Sequence, residues 1–269
     1  MATGGNPMFQ SKAFREQMRP AGDSNTQRTV EPMSAQSLQD LYNSPSAGPA
    51  QTGRLTYNDV VSKTVLMFGV VVITAAIGWQ IPALMLPGVL IGLVLGLVNS
   101  FNREPSPVLI LLYAAAEGLF LGGLSGVLEG RYPGIAVQAV LATFSVFAVT
   151  LALYRSGKYR ATPKMTKMFF IAMGAYLVFS LLNLGLMLFG LTDSMFGLRG
   201  QFPLLGLGIG IIAVLLATYC LVLDFTQIQR GVEQGAPAKF AWTAAFGLTV
   251  TMVWLYVEIL RIIAILREN

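Results

Sequence analysis

The chain has 269 residues, 54% of them hydrophobic and 12% charged, about half the charged share of a soluble domain. It carries 18 basic and 13 acidic residues, one cysteine (Cys220) and no histidine. That composition describes a membrane protein and excludes histidine-ligated metal sites, Ser/His hydrolases, the usual zinc sites and an intrachain disulfide. The positive balance calls for no nucleic acid, because the basic residues gather in loops beside long apolar runs.

Residues 1–57 are polar and rich in Pro, Ser, Gln, Asn and Gly. They lack the apolar core of a signal peptide and read as a disordered cytoplasmic tail. A short amphipathic patch at Ser34–Pro45 reads better as a passing helical preference than as a docking element. Residues 58–269 read as an all-α, polytopic domain, a seven-transmembrane-helix bundle.

A span needs about 20 apolar residues. Seven are predicted, over Val60–Ile81, Leu84–Ser100, Pro107–Leu128, Gly134–Tyr154, Lys167–Gly190, Pro203–Leu223 and Phe240–Leu266. The first two are joined by a tight turn around Pro82 and Pro87. The sixth is expected to run on through "DFTQIQR" and stop at Gly231, a plausible C-cap.

The loop "YRSGKYRATPKMTK" holds Arg155, Lys158, Arg160, Lys164 and Lys167 and no acid. Positive loops face the cytoplasm, so the chain is expected in the cell membrane with its N-terminus cytoplasmic and its C-terminus outside. Arg131 and Arg199 then fall in outer loops, each beside an acid.

Gly88, Gly92 and Gly96 recur every four residues in the second span, as do Gly118, Gly122 and Gly126 in the third. Such spacing lets helix backbones approach closely. "GLGLGIG" in the sixth span reads as packing, since it lacks the strand and helix start of a nucleotide loop.

Three acids lie in or beside spans, and intramembrane acids mark functional sites by default. Glu117, in "YAAAEGLFLGG", serves equally as helix glue or as a pathway residue. Asp224 ends the apolar part of the sixth span, where the helix dipole opposes a negative charge and a partner is expected. Glu258 lies in "MVWLYVEILRIIAIL". Arg261 is one turn later and close enough to pair with it, although an arginine can also snorkel away. Two carboxylates facing each other in a low dielectric share a proton, and with water and carbonyls they offer calcium only a weak site.

"VLDFTQIQRG" at the end of span six and "WLYVEILRIIAIL" in span seven, supported by "YAAAEGLFLGG", resemble elements of the Bax inhibitor-1/YccA family, over residues 58–266. The resemblance implies a bacterial-type membrane protein leaking cations, usually calcium, through a pH-sensitive acidic dyad between the last two helices. Carried onto this chain, the dyad is Asp224 and Glu258, with weakly bound calcium between them and no other cofactor. Arg103 is a candidate counter-ion on the cytoplasmic side. The resemblance also implies a rival role, as a non-conducting regulator of a membrane-bound AAA protease or a stress response. No enzyme is expected. Three departures bear on the dyad. Its second acid is Glu rather than Asp, the stretch between the acids is longer, and Arg261 stands where Asn is common. Counted from Phe240, Glu258 lies about 27 Å along its helix, too far toward the outer side for Asp224, so the dyad needs the first turns of that helix to project into the cytoplasm.

Overall fold

The computed structural model describes residues 53–102, 104–157, 160–192 and 194–268. The 1–52 portion of the tail, including the Ser34–Pro45 patch, lies outside the described residues, and so does Arg103. Seven helices are long and apolar enough to cross a membrane: α1 (Tyr57–Gln80), α2 (Met85–Phe101), α3 (Pro107–Arg131), α4 (Ile135–Arg155), α5 (Pro163–Leu188), α6 (Pro203–Glu233) and α7 (Ala241–Glu268). No strand occurs among the described residues. The fold is all-α and polytopic.

Local chemistry sets the helix starts. Thr56 and Asp59 form a reciprocal capping box at the head of α1, which satisfies two orphan backbone donors. Pro107, Pro163 and Pro203 open their helices, where a missing N–H costs nothing. Glu129, in the last turns of α3, accepts hydrogen bonds from the backbone N–H groups of Gly134 (2.5 Å) and Ala136 (3.0 Å). A carboxylate at the start of α4 also suits the positive end of the helix dipole. The predicted turn at Pro82 is a 3-10 turn, Pro82–Leu84, and Pro87 falls inside the first turn of α2. α6 does not stop at Gly231. It runs to Glu233, and Gly235, at φ 64°, turns the chain instead, because its missing Cβ permits the left-handed conformation.

α7 is the axis of the bundle. Fifteen of its 28 residues are buried, against Phe169 alone in α5. α7 packs on α6, α1, α4 and α3, and α3 is clasped by α1 and α2. Glycine makes that clasp. A Cβ on Gly118 or Gly122 would collide with the backbone or side chains of Val71, Thr74 and Ala75 of α1. One on Gly88 would stand 2.8 Å from the Phe120 nitrogen and 2.9 Å from the Ala116 oxygen of α3. The four-residue glycine spacing is thus a contact seam in the sense expected for membrane helices.

The segment entering α1 is stitched to the α6–α7 connection. Leu55 N–H bonds the Ala236 carbonyl (2.7 Å) and Ala238 N–H bonds the Gly53 carbonyl (2.8 Å). At the same end of the bundle Lys239 pairs with Glu104 at 2.7 Å. That bond holds the Glu104 carboxyl below its ordinary range.

Candidate functional site

Glu258 is held on α7 at 1% exposure. Its carboxylate has three partners. Arg261, one turn on, donates to Oε1 at 2.8 Å. Arg199 donates to Oε2 at 3.2 Å and to Oε1 at 3.4 Å. The Tyr176 hydroxyl of α5 donates to Oε1 in a short hydrogen bond, and Trp254 N–H reaches that hydroxyl at 3.4 Å.

Arg199 belongs to the single helical turn Leu198–Gln201 between α5 and α6, yet it is only 2% exposed. Two features of the sequence hold it inward. Asn183 of α5 clamps the connection, accepting from Leu198 N–H (2.8 Å) and donating to the Phe196 carbonyl (3.2 Å). Gly206 of α6 then lets the Arg199 carbonyl approach where any Cβ would clash. The guanidinium lies between the rings of Tyr176 (5.1 Å) and Phe179 (5.2 Å), a cation–π arrangement. It also donates to Ser180 Oγ at 3.2 Å.

The cluster therefore holds two guanidiniums and one carboxylate among the described residues. Replacing a buried ion pair by apolar side chains is often neutral or stabilising, whereas stranding one member is costly. Stability alone does not explain these charges.

Asp224 lies elsewhere. Its carboxylate accepts from Thr251 Oγ1 at 2.8 Å, and that hydroxyl also lies 3.6 Å from Cys220 Sγ. Thr251 precedes Glu258 by two turns of α7, about 10 Å along the axis. The described contacts of Asp224 and Glu258 share no residue. The expected dyad is therefore not formed in this structure: Asp224 meets α7 at Thr251, two turns before Glu258, whose partners lie on α5, on the α5–α6 connection and on α7 itself. Calcium takes six to eight oxygens. Among the described residues no three acids, cysteines or histidines come together, and the weak calcium site expected at Asp224 and Glu258 asked for only two acids, with water and carbonyls.

Of the other expected residues, Arg261 is placed on Glu258, so the local pair is real but is only part of the site. Glu117 is not at this site. It sits at the α2–α3 crossing, where a Cβ on Gly92 would stand 2.9 Å from its Oε1, so Gly92 makes the notch it occupies.

The sequence reading missed Arg199, Tyr176, Ser180 and Thr251. Arg199 looked like a loop charge near an acid. The available signal was its setting, "MFGLRGQFP", which is too apolar for a solvated loop. Ser180 and Thr251 gave no signal, since Ser and Thr in a span commonly bond their own helix, and Tyr176 looked like any other aromatic of an apolar span.

An open apolar groove of about 470 Å³ also lies between α1, α3, α4 and α7. Its lining has no charged side chain, and Ser125 and Tyr256 satisfy each other there at 2.7 Å.

Fold and site together define a multi-pass membrane protein with an ion-paired acid on its central helix. A model of the family described as Bax inhibitor 1 like matches residues 6–268, nearly the whole chain and most of the tail with it. The chain belongs to that family. The match reaches well upstream of the 58–266 stretch on which the motifs lie. Comparison with curated proteins returned no match.

Proposed function

We propose that this protein is a cation leak, with calcium among the ions passed, in which the Glu258–Arg199–Arg261 cluster is the closed bar. The observation that carries the reading is Arg199. A guanidinium from the α5–α6 connection is buried against the acid of the central helix, Ser180 and two rings of α5, a contact that would be released if the connection moved. Two positive groups at one level of the seam oppose cation passage, and withdrawing Arg199 would expose Glu258 to the seam. Asp224, about two turns deeper, is then a second carboxylate station rather than half of a touching pair.

The Glu258 carboxylate is what Arg199 answers, so losing either partner opens the bar in this scheme. Calcium uptake into liposomes tests it: Arg199→Gln should leak about tenfold faster than the unmodified protein, the scale of effect that one focused charge exerts on ion entry. Equal uptake would remove the bar.

A non-conducting regulator of a membrane protease is supported by a different feature, the stitching of residues 53–55 to the α6–α7 connection. A partner engaging the tail would pull directly on that connection. Stable co-purification of such a partner, with no flux, would favour this reading.

A further inference from the structure

We propose that the cavity beside Arg261 binds an anionic lipid, with an acyl chain in the cavity and the headgroup phosphate on the guanidinium. The cavity has a volume of about 230 Å³ and lies among the start of α2, the α5–α6 connection and the second halves of α3 and α7. Its walls include Met85, Phe120, Leu124, Met195 and Phe196, and Arg261 is the one charged side chain among the nine that line it. The apolar walls suit a hydrocarbon chain, and the methionines adapt to its shape.

Charge selects the headgroup. The neighbouring cluster carries two guanidiniums for one carboxylate among the described residues, and the Arg199 Nε donor is buried without a partner. Arg261 spends Nη1 on Glu258, while a guanidinium has five N–H donors in a fork that fits phosphate. The residue also stands about 10 Å from the end of α7, a few ångströms inside the hydrocarbon boundary for a helix of this length, from where an arginine snorkels to a headgroup. A free anion would leave the apolar walls unused, and a zwitterionic lipid would answer the excess charge poorly. The site does not depend on the leak reading, because a non-conducting protein would hold the same lipid.

Native mass spectrometry of the full chain in detergent tests the proposal with three probes: phosphatidylglycerol, phosphatidylcholine of the same chain length, and glycerol 3-phosphate. Phosphatidylglycerol should bind at least about fivefold more tightly than phosphatidylcholine, and glycerol 3-phosphate far more weakly than either. Arg261→Gln should erase the difference between the two lipids. Because that change also removes a bond to Glu258, a second variant is needed. Met195→Trp, at an exposed position, should fill the cavity mouth and weaken both lipids alike. Equal affinity for both lipids in the unmodified protein would overturn the proposal. So would a preference surviving in Arg261→Gln, lipid affinity unchanged in Met195→Trp, or glycerol 3-phosphate binding as tightly as phosphatidylglycerol.

Discussion

Arg199 reaches from the α5–α6 connection to Glu258 on α7, Nη1 to Oε2 at 3.2 Å, with both side chains almost sealed from the exterior. The contact ties the least enclosed helix, α5, and the start of α6 to the most enclosed one. It follows that the connection cannot move outward without breaking the Arg199 bonds to Glu258.

The cost of breaking the cluster should depend on which member is removed. Glu258→Leu strands two guanidiniums and should destabilise the protein by about 3–5 kcal/mol. Arg199→Met leaves Glu258 with Arg261 and Tyr176 and should cost clearly less. Thermal unfolding in detergent distinguishes the two, and equal losses would mean that Arg261 adds nothing.

The glycine seam makes a sharper packing prediction. Gly122→Ala drives a methyl into the α1 backbone at Ala75 and should cost about 1–3 kcal/mol, as overpacking does. Gly174→Ala on α5 meets nothing within 4 Å. It should be neutral or stabilising by up to about 1 kcal/mol, the helix preference for Ala over Gly. Unfolding midpoints of the two variants should therefore move in opposite directions or differ severalfold in size.

The number and order of helices were legible in the sequence because a bilayer imposes one simple rule, a long apolar run between polar turns. The predicted spans fall within a few residues of α1 to α7. Counting along α7 raised a depth difficulty between Glu258 and Asp224, yet the expected dyad still paired them. The partner of Glu258 was not legible. Arg261 was visible because helical neighbours follow from spacing, whereas Arg199 arrives through a tertiary fold of the α5–α6 connection. That fold is set by Asn183 and Gly206, and a one-dimensional pattern carries no sign of it.

Asp224 should behave as a station on the seam and not as a structural pillar. Asp224→Asn keeps an oxygen that can accept from Thr251 and should leave the unfolding midpoint nearly unchanged. In the leak reading it should lower calcium uptake about tenfold. A large loss of stability with uptake unaltered would reverse the assignment.

At the other end of the bundle, Lys239 depresses the Glu104 carboxyl. A group with a lowered folded pKa contributes stability above its unfolded pKa and loses it as pH falls through the folded value. Glu104→Gln should therefore remove a small stability increment at neutral pH and none in strong acid, because the pair is exposed and screened. Unfolding midpoints across that pH range, compared with the unmodified protein, provide the check.

The most direct test of the barred-leak account is calcium uptake by Glu258→Gln protein in liposomes. The account predicts faster uptake by Glu258→Gln than by the unmodified protein. Equal uptake by the two, or no uptake by either, would contradict it.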